Sequence, residues 1–516
     1  MTGLAPVLMV QGTASSAGKS TLVAGLCRLF ARRGLRVAPF KAQNMSNNAA
    51  VCAAGGEIGR AQFAQAQAAG VEPTVDMNPI LLKPQGGASQ LIVRGRVHGT
   101  ATAADYFSPR VSLRVSLRVS PRVSPGATRP DLWPIVVDAL DGLRARYQLV
   151  IAEGAGSPAE VNLRDRDLVN MRVARHASAD VLIVGDIDRG GVFASLLGTW
   201  EWLLPEERAL VRGWVLNKFR GDASLLAPAP AWLEQRTGVP VLGVVPFIED
   251  IGLPDEDAAS LSVRDTGPGV VEVAVLRLPH LANFDEFGPL ANEPGVQVRY
   301  VSRPDELRAP DLVILPGTKA TIPDLLFLHE RGLAARVCWL AAHGTPVLGI
   351  CGGYQMLGTS VRDPLRSESE HVEAPGLGLL PVRTELAAEK RLARARGHLR
   401  PDLPGVWSTL AKVPVEGYEI HLGETSGPPG LALLDLDDAV PDGAVAPDGS
   451  VAGTYLHGLL ERPEPRHALV SALAARRGLT WRPGAPPADA YDRLADILEA
   501  SLQLDTLSLW QRLYPG

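Results

Sequence analysis

Cysteine is scarce in this sequence. Its 516 residues hold four, Cys27, Cys52, Cys338 and Cys351, and their spacing matches neither a disulfide framework nor a zinc-ligand pattern. Aromatic residues reach only 5% and charged residues 21%. A formal net charge of −5 provides no general pull toward nucleic acid or an anionic membrane, so neither is expected as a partner. No apolar run approaches the roughly 20 residues of a membrane-spanning helix. A basic stretch, apolar core and cleavage site do not follow one another near Met1, so a cytoplasmic location is expected. What is present is an ordinary globular composition, 46% hydrophobic, in a chain long enough for two or three domains.

Short apolar runs ending in polar or glycine-rich tips recur along the first half. Pro6 to Val10, Leu35 to Phe40, Leu149 to Ala152, Val181 to Gly185, Arg212 to Leu216 and Val239 to Val245 read as strands. Alternation with helical segments predicts a doubly wound α/β sheet, whose ligands bind beyond the carboxyl ends of the strands. The first run leads into Gln11-Gly12-Thr13-Ala14-Ser15-Ser16-Ala17-Gly18-Lys19-Ser20-Thr21, followed by a helix with Leu22, Leu26, Leu29 and Phe30 on one face. Strand, glycine-bounded loop, Gly-Lys-Ser and helix form the context of a phosphate-binding loop. Backbone N–H groups from Gly12 to Thr21 would cradle phosphate oxygens, Lys19 would neutralise them, and the Ser20 hydroxyl would ligate magnesium. Five residues separate Gly12 from Gly18, one more than the common pattern. Lys41, at the end of the second strand, is placed to reach the same phosphates. Glu153 ends another strand beside glycines, where a magnesium-bound carboxylate and a solvated turn residue are equal readings. Asn217, at the tip of Arg212 to Leu216, is assigned to the nucleotide base.

Residues 110–125 read RVSL, RVSL, RVSP, RVSP. A period of four suits neither strand nor helix for long, and proline stops both, so this is a low-complexity insertion. Residues 251–270 mix acids, Gly, Pro and Ser as a linker does. The expected division is therefore 1–250, linker 251–270, a second α/β domain over 271–465, and a helical segment over 466–516 that packs on the second domain.

In the second half, Val347 to Ile350 ends on Cys351, followed by Gly352-Gly353-Tyr354-Gln355. Strand, cysteine, two glycines and helix describe a nucleophile elbow, with the helix N-terminus favouring thiolate. A buried structural cysteine is the competing reading. Gly317, after the strand Leu312 to Leu315, and Gly352 supply backbone N–H groups for an oxyanion hole. His457 and His421 compete as the base. His457 is preferred because it leaves a strand and precedes a glycine. Leu459 stands where a carboxylate two residues beyond the histidine would be, so no third member of a triad is visible.

These segments resemble the cobyric acid synthases, glutamine-dependent amidotransferases of cobalamin biosynthesis, over nearly the whole chain except the repeat. The runs KAQNMSNN (41–48), MNPILLKP (77–84), EGAGSPAEVNL (153–163) and NKFRGD (217–222) carry the likeness. The resemblance implies a dethiobiotin-synthetase-like P-loop ATPase domain followed by a class I glutaminase-like domain. Cys351 is then the nucleophile and His457 the base, in a branch without the usual triad glutamate. It also implies ATP and Mg²⁺ as cofactors, L-glutamine and a corrinoid polycarboxylate as substrates, and four amidations, at side chains b, d, e and g of adenosylcobyrinic acid a,c-diamide. The sister enzyme acting on side chains a and c, and a partitioning-type ATPase switch, are the alternatives. Arg60, Arg94, Arg164 and Arg189 are candidates for the polycarboxylate, and a homo-oligomer is left open.

Overall fold

A computed structural model describes residues 3–85, 88–102, 131–248, 271–437, 440–484 and 489–514. The repeat at 110–125 and the expected linker at 251–270 lie outside the described residues.

The first half is built on six parallel strands: β1 (Val7–Gly12), β2 (Val37–Phe40), β3 (Leu149–Glu153), β4 (Asp180–Asp186), β5 (Val211–Phe219) and β6 (Val241–Pro246), in the order β6-β5-β4-β1-β3-β2. Successive side chains of a strand face opposite sides of the sheet. Val7 and Met9 enter one core while Leu8 and Val10 enter another, where they meet Leu22, Leu26, Leu29 and Phe30 of helix α1 (Lys19–Arg32). Burial on both faces is why these strands are continuous apolar runs rather than alternating ones. The doubly wound class expected for this half is what the structure has.

The second half repeats the plan. Strands β7 (Val271–Leu276), β8 (Val296–Val301), β9 (Leu312–Leu315), β10 (Val347–Ile350) and β11 (Val451–Thr454) run parallel in the order β8-β7-β9-β10-β11, and Ala444–Val445 adds an antiparallel edge. A second sheet of the same half is dominated by a long hairpin, Arg383–Leu399 against Pro414–Ser426. Its first strand is rich in Arg, Glu and Lys, which hides it from an apolar pattern search. Tyr418 and Ile420 of the hairpin pack against Ala49, Val51, Leu81 and Ile92 of the first half, so one apolar cluster straddles the seam.

The carboxyl-terminal segment divides its allegiance. After α2 (Gly352–Leu357), helix α3 (Pro463–Arg476) joins the core of the second half through Leu469, Val470 and Leu473. Helix α4 (Ala490–Ser501) instead lies on α1 of the first half, with Leu494 and Leu498 in that core. A Cβ on Gly25 would sit 2.5 Å from Leu498 and 2.7 Å from Leu494, so the close approach requires glycine there. The expectation that all of 466–516 packs on the second domain holds through Trp481, which joins the same core, and fails from α4 onward. Periodicity shows that α4 has an apolar stripe, but not which surface receives it. Arg28 and Arg32 of α1 pair with Asp489, Asp492 and Asp496 at the rim. Exposed pairs of this kind contribute about 0–1 kcal/mol each, so burial of the leucines dominates. Leu498→Ala should destabilise the chain by about 2–5 kcal/mol in urea unfolding, whereas Asp496→Ala should cost no more than about 1 kcal/mol.

Candidate active sites

The loop from Gly12 to Lys19 turns at Gly18, whose φ of 91° is in the region glycine favours. The Lys19 ammonium folds back over the loop, donating to the carbonyls of Ala14 at 2.8 Å and Gly156 at 3.1 Å. A third carbonyl, of Ser15, lies 3.3 Å from the same nitrogen, so the ammonium is held over the loop. Glu153, only 1% exposed, accepts from Ser20 Oγ at 2.8 Å, Lys41 Nζ at 2.7 Å and Gln65 Nε2 at 2.6 Å. Lys19, Ser20, Lys41 and Glu153 are thus gathered at the ends of β1, β2 and β3. Two hard oxygen donors, Ser20 and Glu153, stand side by side there, which fits Mg²⁺ held by few protein ligands with phosphate oxygens completing its shell.

Asn217 sits beside the loop rather than apart from it. Its Nδ2 donates to the Ala17 carbonyl at 2.8 Å, and a Cβ on Gly18 would lie 2.3 Å from that nitrogen. One service of Asn217 is therefore to hold the loop in shape.

Cys351 joins β10 to α2 with φ 52° and ψ −110°, an uncommon conformation for a residue with a Cβ. The glycines around it answer a crowding problem. A Cβ on Gly353 would lie 1.9 Å from the Leu315 carbonyl, and one on Gly349 would lie 2.7 Å from the Tyr354 nitrogen. Small residues let the helix turn directly out of the strand. The Cys351 N–H continues the ladder to Thr454 at 2.8 Å, so the strained residue is anchored on its strand side.

His457 follows β11 and is 1% exposed. Its side chain faces the same small cavity as Cys351, whose sulfur donates to the Ile420 carbonyl at 3.7 Å, and its ring stacks on Tyr418. Nδ1 lies 2.9 Å from Oε1 of Glu286, while the other carboxylate oxygen accepts from the Gly458 N–H at 3.0 Å. A cysteine and a histidine therefore share one cavity, and a carboxylate holds the histidine. The sequence showed no such carboxylate because it comes from the loop after β7, 171 residues before the histidine. An acidic pair in an otherwise apolar setting, Asn283-Phe284-Asp285-Glu286-Phe287, was its only signal. Burial alone would lower the pKa of His457, but Glu286 and the Cys351 sulfur outweigh it and hold it at about 10. His421 lines the same cavity, but its Nδ1 is bonded to the Gly423 carbonyl at 2.8 Å and its ring stacks on Tyr455. Gly317 backs directly onto the His457 ring, and Gly352 opens α2, where the first N–H groups have no intrahelical acceptor. Both line one small cavity with Cys351 and His457.

Residues 272–465 match the model of the CobB/CobQ-like glutamine amidotransferase domain, and residues 8–259 that of the CobQ/CobB/MinD/ParA nucleotide binding domain. Cobyric acid synthase from Pelotomaculum thermopropionicum is 51% identical, covering 92% of this chain and 89% of the relative. That from Desulforudis audaxviator is 49% identical over 98% of both chains, and that from Sorangium cellulosum 48% over 96% of both. The chain belongs to the cobyric acid synthase family.

In this member of the cobyric acid synthase family the two halves meet across a seam that has polar contacts beside its apolar cluster. Asn48, the last residue of the run 41–48, accepts from the Asn283 N–H at 2.8 Å, and Asn283 accepts in return from the Ala49 N–H at 2.9 Å. Glu57 is completely buried between Lys83, at 2.8 Å, and Lys390. Burial would raise its pKa, but the two lysines hold it down at about 2. Asn47 and Lys83 of the first half help to wall the Cys351 cavity, whose volume is about 30 Å³. That is small beside the roughly 300–1,000 Å³ of an ordinary small-molecule site.

The suggested arginines are now placed. Arg60 is consumed at the seam by Asp285 at 2.5 Å and Glu461 at 2.6 Å, Arg94 pairs with Asp138 on the surface, and Arg189 is exposed beside Asp186. Only Arg164 lines a large cavity.

The proton on His457 is held mainly against burial by Glu286. Because its folded value lies above the ordinary 6.5, the contribution to stability is full below about pH 6.5 and fades as pH rises through about 10. Glu286→Gln should lower the midpoint of the His457 ring-proton titration by about one pH unit or more. A midpoint that stayed near 10 would show that another group holds the proton.

Proposed function

We propose that the chain amidates corrinoid carboxylates with ammonia drawn from glutamine, converting adenosylcobyrinic acid a,c-diamide to adenosylcobyric acid at side chains b, d, e and g. The observation that carries this reading is the presence on one chain of a Cys351–His457–Glu286 line and a Lys19–Ser20–Glu153 phosphate site, joined at a shared seam. Family membership supports the same chemistry.

In the glutaminase half, the Cys351 thiolate attacks the side-chain amide carbon of glutamine. N–H groups of Gly317 and Gly352 receive the oxyanion, and His457 passes its proton to the departing nitrogen, so ammonia leaves a thioester behind. Water, deprotonated by His457, then cleaves the thioester to glutamate and restores the cysteine. Glu286 keeps the ring oriented and favours its charged form at each proton transfer.

In the ATPase half, the acceptor carboxylate oxygen attacks the γ-phosphorus and the bond to ADP breaks. Lys19 and Lys41 offset charge on the transferring group, and Asn217 holds the loop beside the purine. Mg²⁺, when bound by Ser20 and Glu153, supplies neutralisation of the phosphate oxygens. Ammonia adds to the acyl carbon, phosphate departs, and the nitrogen loses a proton to leave the amide. Residues 1–250 and 271–465 are assigned to these two halves.

Cys351→Ala should abolish glutamine-dependent amidation while added ammonia still supports it, and Lys19→Ala should abolish both, as read by product masses. Loss of ammonia-driven turnover in a folded Cys351→Ala protein would refute this separation of labour. Amidation of cobyrinic acid but not of its a,c-diamide would refute the choice of substrate.

A further inference from the structure

A cavity of about 870 Å³ lies in the first half and has no part in the chemistry described so far. Its volume is near the upper end for small-molecule sites, which run from about 300 to 1,000 Å³. One wall is Ala155, Gly156 and Ser157, the segment immediately after Glu153, and it is the Gly156 carbonyl that receives the Lys19 ammonium at 3.1 Å. Whatever fills this cavity therefore lies against the phosphate loop.

The opposite wall is the segment from Leu163 to His176. Asn170 clips the two walls together, donating to the Ala155 carbonyl at 2.8 Å and accepting from the Ala155 N–H at 3.1 Å. A Cβ on Gly154 would lie 2.3 Å from Asn170 Oδ1, so glycine is needed for that clip.

The charges on the second wall are unequally committed. Glu207 is paired with Arg164 at 3.0 Å, and Asp167 accepts from the backbone N–H groups of Val169 and Asn170 at 2.9 and 2.8 Å. Arg172 spreads over the Trp133 ring at 4.1 Å, an aromatic face that also lines the cavity. Arg166 and Arg175 are exposed and have no ion pair among the described residues. Glu160 and Asp165 are also exposed on this lining. Two guanidinium groups, Arg166 and Arg175, are thus left without an acidic partner, and Arg172 adds its N–H edge while its plane lies on Trp133; guanidinium is the side chain best shaped for carboxylate.

We propose that this cavity is the acceptor site for the corrinoid polycarboxylate: Arg166, Arg172 and Arg175 bind its peripheral carboxylates, Trp133 meets its apolar body, and the carboxylate to be activated reaches the phosphate loop past Gly156. The assignment rests on the function proposed above and deepens it. A large substrate with several similar carboxylates needs a roomy site with several cations, because each turn of the reaction must bring a different side chain to one phosphate. The 30 Å³ cavity at Cys351 has no such capacity.

The test is steady-state kinetics of the full chain with cobyrinic acid a,c-diamide, comparing the wild type, Arg166→Ala/Arg175→Ala and Arg166→Lys/Arg175→Lys. The alanine variant should raise the KM for the corrinoid roughly ten- to a hundredfold, the lysine variant should recover part of that loss, and the KM values for ATP and glutamine should not move. Rising ionic strength should weaken corrinoid binding less in the alanine variant than in the wild type. An unchanged corrinoid KM in the alanine variant, with ATP and glutamine parameters intact, would overturn the site and leave the proposed function standing. A wild-type chain that amidates no corrinoid would overturn the function and the site with it.

Discussion

A single buried carboxylate, Glu286, governs how the second half is put together. It binds Nδ1 of His457 with one oxygen and the Gly458 N–H with the other, so it fixes both the ring and the backbone that carries it. Both partners are almost wholly buried, and a buried charge left alone is costly: breaking such a pair from one side typically costs about 3–5 kcal/mol. The loop after β7 and the loop after β11 must therefore arrive together. Cys351 lies on β10, next to β11 and two strands from β7, and only this folded arrangement brings the three groups into line.

Each half uses the same device to make a site. A parallel sheet ends in a row of loops, and the reactive groups sit on those loops where the strands stop. In the first half they are Lys19, Lys41 and Glu153, after β1, after β2 and at the end of β3. In the second they are Cys351, His457 and Gly317, after β10, β11 and β9. The seam brings these two ends toward each other, with Glu57 clamped between lysines of both halves. Burial pulls the Lys83 pKa down to about 8 against the attraction of Glu57, so Lys83 and Glu57 are both charged at neutral pH.

Local features were legible in the sequence; features assembled from distant segments were not. The phosphate loop and the cysteine elbow each occupy fewer than about a dozen consecutive residues, and their glycines are required by local turns and close approaches. The core strands were legible because burial on two faces forces continuous apolar runs. Glu286 was not, since it lies on another loop 171 residues before His457 rather than two residues after it. The hairpin at 383–426 was hidden by its charged outward positions, and helix α4 showed its stripe without its partner. Arg60 reads as a ligand-binding arginine in sequence and becomes a seam residue only once Asp285 and Glu461 fold around it.

The crowding around Cys351 also bears on the sulfur's exposure to reagents. The residue is 6% exposed, and Asn47 and Lys83 of the first half share its small cavity with Gly317, Gly352 and His457 of the second. A reagent for the thiol therefore approaches past walls that both halves build, so the labelling rate of this one sulfur reports on how the halves are joined.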